Sequence, residues 1–152
     1  MVRATLGPVD PGPAPPPSSP ATALTMRRNR RRDTAPELAV RRALHGAGLR
    51  FLVDVPVPGC GRRRRADVLL RGARIALYID GCFWHSCPVH LHLPKANREW
   101  WTRKLASVVD RDRDTDVRVR SAGWLPLRVW EHEPVDDVVA RVRDAVAARV
   151  RG

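Results

Sequence analysis

A chain of 152 residues, with 28 Lys and Arg against 16 Asp and Glu and a formal net charge of +12, is sized for one domain with a modest core and charged for a polyanion. Nucleic acid is the first such partner and an anionic membrane surface the second. Its three cysteines do not make a disulfide framework, no apolar run approaches transmembrane length and the N-terminus lacks the apolar block of a secretory signal, so a cytoplasmic, nucleoid-associated protein is expected.

Residues 1–25 hold seven of the fourteen prolines. Such a segment is expected to be a disordered extension, or an untranslated stretch upstream of a start at Met26, because it cannot bury enough surface to offset ordering. Arg27-Arg28-Asn29-Arg30-Arg31-Arg32 follows as a basic arm, with Arg28 and Arg31 as candidate phosphate contacts. Only Lys95 and Lys104 are lysines, and Lys104 joins the candidate DNA contacts. A GC-rich genome would also favour arginine, but it would not produce the net charge.

Asp33-Thr34-Ala35-Pro36-Glu37 opens the first helix, with Thr34 and Glu37 spaced as a capping box. Leu38, Val40, Ala43, Leu44 and Ala47 form its apolar face, and Gly46 and Gly48 end it. On local grounds Glu37 is a cap. Phe51–Val55 reads as a strand and 56–61 as a turn holding Cys60, a free cysteine far from the other two. After Arg62–Arg65 comes a short buried strand, Ala66–Leu70. Asp67 at its head has two readings, a carboxylate paired with arginine or a site acid. The turn 71–74 predicts that strand 75–79 pairs antiparallel with 66–70.

The densest chemistry follows: Asp80-Gly81-Cys82-Phe83-Trp84-His85-Ser86-Cys87-Pro88-Val89-His90. A helix is then predicted over 98–122. Its stripe Trp101, Leu105, Val108, Asp112 carries an aromatic at one end and an acid toward the other, since residues eleven apart differ by roughly 20° around the axis. Gly123 breaks it. Trp124–Trp130 is a strand, placed at an edge by Pro126, and 135–150 a last amphipathic helix. The order α-β-β-β-α-β-α predicts an α/β fold, a small mixed β-sheet flanked by helices.

Cys82, Cys87 and His90 form Cys-x4-Cys-x2-His, three ligands where a structural zinc wants four. His132, at the end of the 124–130 strand, is the best fourth, and His92 competes with His90. The alternative is free thiols and surface histidines. His85 is left over beside Asp80, free to act as general base, and the carboxylates could hold magnesium for phosphodiester hydrolysis. Phe83 and Trp84 are either wedges between base pairs or a cap on the core beneath the loop.

Asp33-Thr34-Ala35-Pro36-Glu37, Ala66-Asp67, Gly81-Cys82-Phe83-Trp84-His85, Trp101, Asp112 and Val129-Trp130-Glu131 together resemble the very short patch repair endonucleases over about residues 26–133. The resemblance implies a restriction-endonuclease-like fold with a structural zinc. It also implies an enzyme that nicks double-stranded DNA on the 5′ side of the thymine of a T:G mismatch left by deamination of 5-methylcytosine. It implies magnesium on Asp67 and the carbonyl of Ile79, His85 as the catalytic histidine, Glu37 and Asp112 as supporting acids, and Phe83, Trp84 and Trp101 as the wedge. A monomer is expected. The chain departs from the family where Ile79-Asp80 stands in place of a frequent Thr-His, which lets Asp80 bind metal directly. It departs again where His132 stands in place of a frequent cysteine.

Overall fold

The computed structural model describes residues 10–28 and 32–152; Arg31, expected in the basic arm, lies outside them. The elements run α1 (Pro20–Arg28), α2 (Ala35–Gly46), β1 (Leu52–Pro56), β2 (Arg65–Leu70), β3 (Ile75–Asp80), α3 (Arg98–Ser121), β4 (Leu125–Trp130) and α4 (Val135–Arg151). Seven of these match the predicted order. The additional helix, α1, starts where Ser19 caps it: the Ser19 hydroxyl accepts from the Thr22 N–H at 3.1 Å, and Pro20 takes the first helical position. A composition dominated by proline hides this short signal. α1 buries no residue, so little beyond its cap supports it.

α2 begins at Thr34, whose side chain accepts from the Glu37 N–H. Glu37 returns the favour one residue earlier than a standard box, accepting from the Asp33 N–H at 2.8 Å. The helix closes where Gly48, at φ +85°, turns the chain and the Leu49 N–H reaches back to the Leu44 carbonyl at 3.1 Å. Gly123, also at φ +85°, does the same for α3, with the Trp124 N–H on the Val119 carbonyl.

The four strands form one sheet in the order β1-β2-β3-β4. β1 with β2 and β2 with β3 are antiparallel, while β3 and β4 are parallel and joined through α3. Pro126 does lie on an edge strand. One face packs under α2 and α4: Val40, Leu44, Val68, Ile75, Leu77, Ile79, Val129, Val138 and Val142. The other packs under α3: Val57, Ala66, Leu69, Ala76, Tyr78, Val119 and Trp124. Burying side chains such as Leu44, Ile75 and Leu77 contributes about 1.5–3 kcal/mol each. Because β3 is buried on both faces, its alternation decides the site: Ile79 follows Leu77 toward α2 and α4, and Asp80 follows Tyr78 toward α3. Among the described residues no helix is long and apolar enough to cross a membrane.

Candidate active site and metal centre

Two ladder irregularities meet at Asp67. The β2–β3 pairing is confined to Val68–Leu70 with Ile75–Leu77. On the other side, the β1–β2 register skips the Asp54–Asp67 pair, and Asp54 itself has φ +48°. The strands part there, and the Asp67 carboxylate takes over a backbone bond, accepting from the Ile79 N–H at 2.7 Å. The Asp80 carbonyl faces the opposite way, accepting from the Glu131 N–H next to β4. Since N–H and C=O of one strand residue point to the same side, the Ile79 carbonyl is directed to the Asp67 side. Asp67 and Ile79 thus offer an acid and a carbonyl oxygen at one gap, a donor set that suits a hard divalent cation. Burial pushes the Asp67 carboxyl up to about 6, the Ile79 bond opposes that, and the charges of Glu37 and Asp80 add to it.

Glu37 is buried, and its Oε2 also pairs with Arg41 at 3.2 Å. It therefore serves as helix cap while lying close enough for its charge to act on Asp67. The stripe on α3 brings Asp112 to His85: Asp112 Oδ2 lies 2.5 Å from Nδ1 of His85. Asp80 Oδ1 is 3.7 Å from the same nitrogen. Burial pulls the His85 pKa down, but the Asp112 hydrogen bond and the charges of Asp80 and Asp112 outweigh it, and the net direction is up. With Nδ1 held, Nε2 is the nitrogen left for proton transfer. Asp80 is not an isolated acid. Arg128 binds both its oxygens, at 3.0 and 3.2 Å, a partner that reading the chain by itself misses.

The parallel register of β3 and β4 assembles the second cluster. Asp80 pairs with Trp130, so Cys82 and His132, each two residues beyond, leave the sheet side by side. The Cys82 N–H donates to Glu131 Oε1 at 2.9 Å, and the loop folds back through the Cys87 N–H on the Cys82 carbonyl. Cys82, Cys87, His90 and His132 each bring one donor atom to within 4.8 Å of the others. Sulfur–nitrogen separations are 3.1 and 3.9 Å from Cys82, and 3.7 and 3.8 Å from Cys87. A tetrahedral ion with metal–sulfur near 2.3 Å and metal–nitrogen near 2.0 Å needs separations of about 3.5 Å. Burial, then the Cys87 sulfur and Glu131, push the Cys82 thiol up to about 11, as expected where electron-rich donors crowd together. The residues fit such an ion. His92, the competitor of His90, is exposed and outside the group, and Cys60 is a free cysteine elsewhere.

Phe83, Trp84 and Trp101 form one aromatic cluster, with centroids 5.3 Å apart for Phe83–Trp84 and Phe83–Trp101 and 5.8 Å for Trp84–Trp101. Trp100 adds to it at 4.9 Å from Trp101. These rings belong to neither core cluster; Phe83 and Trp101 are half-buried and Trp84 is 45% exposed. Arg28 is exposed at the end of α1, and Lys104 is half-buried on α3.

Residues 20–90 match the family model described as DNA mismatch endonuclease Vsr. The chain is 40% identical over 136 residues to the type II nicking enzyme V.NaeI of Lentzea aerocolonigenes, covering 89% of this chain and 82% of that protein. It is 33% identical over 113 residues to the type II nicking enzyme V.XorIIP of Xanthomonas oryzae pv. oryzae, covering 73% and 79%. It is 37% identical over 108 residues to the DNA mismatch endonuclease Vsr of Escherichia coli, covering 70% and 66%. These matches place the chain: it belongs to the Vsr family of DNA endonucleases.

Proposed function

We propose that this protein is a magnesium-dependent, zinc-stabilised endonuclease that nicks one strand of double-stranded DNA 5′ of the thymine in a T:G mismatch. The observation that carries this reading is the His85–Asp112 dyad, oriented by a 2.5 Å contact, set beside Asp67 and the Ile79 backbone and next to an aromatic cluster with an exposed tryptophan. Magnesium held by the Asp67 carboxylate and the Ile79 carbonyl would polarise the scissile phosphate and stabilise the leaving oxygen. His85 accepts a proton from the attacking water at Nε2. Asp112 keeps the ring in the tautomer that leaves Nε2 open and stabilises the charge the ring acquires. Asp80, bound through both oxygens by Arg128, stands 3.7 Å back from the ring, and Glu37 holds the start of α2 against the site.

Phe83, Trp84 and Trp101 wedge beside the mismatch, which costs less to unstack than a matched pair. Arg28, Arg31 and Lys104 supply phosphate contacts, so binding weakens as salt rises. Zinc on Cys82, Cys87, His90 and His132 holds the loop that carries Phe83, Trp84 and His85, and the protein acts as a monomer with residues 26–152 as the nuclease domain.

A nicking assay in magnesium tests this, on end-labelled duplexes carrying T:G, T:A or C:G at one position. The expected result is a single nick 5′ of the mismatched thymine. His85→Ala is expected to lower the rate by about 10²–10⁴-fold with mismatch binding retained. Cleavage of all three duplexes would replace this reading with a broader nuclease, and binding without cleavage would replace it with a non-catalytic module.

A further inference from the structure

Arg128 lies on β4 and faces α3, on the same side of the sheet as Asp80 of the neighbouring strand, with which Trp130 is in register. Its guanidinium carbon sits 4.4 Å above the Tyr78 ring. Its five donors are spread over three acids. Nε donates to Asp116 at 2.9 and 3.1 Å, and one terminal nitrogen donates to both oxygens of Asp80 at 3.0 and 3.2 Å. The other lies 2.9 Å from Asp116 Oδ1, reaches the Asp112 carbonyl at 3.4 Å and lies 3.9 Å from the Asp112 carboxylate. A guanidinium has the fork geometry for this and an ammonium does not.

Two of those acids compete for one atom. Nδ1 of His85 is 2.5 Å from Asp112 and 3.7 Å from Asp80. Asp112 comes from the middle of α3 and Asp80 from the end of β3, so the choice between them depends on how helix and strand are tied together. We infer that Arg128 is a positioning residue for the nicking chemistry: clamped on Tyr78, it holds Asp80 back through both oxygens and fixes the Asp112 turn of α3, so that Asp112 takes Nδ1 of His85 and Nε2 faces the reacting phosphate.

Without Arg128, Asp80 and Asp112 would face each other uncompensated across His85. Asp80, released from its partner, would draw the ring toward β3. Removing the Asp80 charge as well takes away the competitor. The inference therefore carries a signature that simple loss of packing does not: a second lesion repairs the first.

This inference rests on the nicking reading, and two measurements separate them. The first is single-turnover nicking of the T:G duplex in magnesium. Arg128→Gln is expected to slow the nick about 100-fold, the usual scale for a misplaced catalytic group, with T:G affinity within about twofold of the parent. The double variant Asp80→Asn/Arg128→Gln is expected to recover about tenfold, a coupling of ordinary size for residues in contact. Arg128→Lys, which keeps stem and charge, is expected to lose activity and regain it with Asp80→Asn in the same way, and it serves if the glutamine variant does not fold. The second is the proton NMR spectrum of metal-loaded protein without DNA, where the His85 Nδ1–H bonded to Asp112 gives a downfield ring-proton signal. That signal is expected to vanish in Arg128→Gln and return in the double variant.

Parent-like nicking in both Arg128 variants overturns the inference. So does a double variant as slow as the single one, because Asp80 would then be acting in the chemistry itself. If the parent cuts no duplex, the nicking reading falls, and the ring-proton signal alone judges whether Arg128 orients His85.

Discussion

At Asp67, burial and charge work against each other. Its carboxyl is pushed up to about 6 from 3.8, first by burial and then by Glu37 and Asp80. Folding therefore opposes its ionised form, a cost present in full above about pH 6 and gone below the ordinary carboxylate range. Asp67→Asn is expected to stabilise protein free of divalent magnesium by about 3 kcal/mol at pH 7.5 while abolishing the nick. The gain is expected to shrink as pH falls toward 4, read from denaturant unfolding at the two pH values. Equal stability of parent and variant at pH 7.5 would mean that Asp67 is not under this strain. The sign is opposite to that of a salt-bridged surface acid. Glu37 illustrates the same economy of means: it caps α2 through Asp33, pairs with Arg41 and still bears on Asp67.

The loop between β3 and α3 lacks regular structure of its own, and its shape depends on what it is tied to. It is tied by the Cys82 N–H on Glu131, by the turns from Gly81 to His85 and from Cys82 to Cys87, by the His85–Asp112 and Phe83–Trp101 contacts with α3, and by the four-donor cluster. The turn hydrogen bonds contribute about 1 kcal/mol each. A metal ion bound by the four donors would add to these ties. Purified protein is expected to contain about one zinc per chain. Cobalt exchanged for it is expected to show thiolate charge-transfer absorption that Cys87→Ser diminishes; cobalt protein without those bands would remove the two cysteines from the ligand set. The helices follow local rules more closely. Thr34, Gly48 and Gly123 begin and end them as their chemistry dictates, and the stripe on α3 delivers Asp112 to His85 because helical period and residue spacing agree.

Taken as a whole, the molecule gathers Asp67, Asp80, Asp112 and the aromatic cluster at one end of the sheet, where β3 and β4 terminate together. The rings of Phe83, Trp84 and Trp101 are contributed by a loop and a helix that meet only in the folded protein. Trp84→Ala is expected to reduce the preference for T:G over T:A duplex by about tenfold, the scale of one lost base–aromatic stack, with affinity for matched DNA little changed. Equal loss on both duplexes would make Trp84 a general contact instead of a mismatch sensor.

The elements, their order and most of the site were legible in the chain because they depend on nearby residues: caps, glycine stops, a helical stripe, and a Cys-x4-Cys-x2-His spacing that puts three donors on one loop. The short helix α1 was the exception, since its Ser-Pro start is small beside the surrounding prolines. Three facts needed the tertiary structure, and each for the same reason, that strand register is set by packing across the sheet and leaves no mark in either strand alone. Register brings His132, the fourth donor expected from the chain, level with Cys82. It sets Arg128 against Asp80 and so turns an apparently free acid into half of an ion pair. And the end of the β2–β3 ladder turns Asp67 onto the backbone of Ile79, where an acid and a carbonyl come to share one gap.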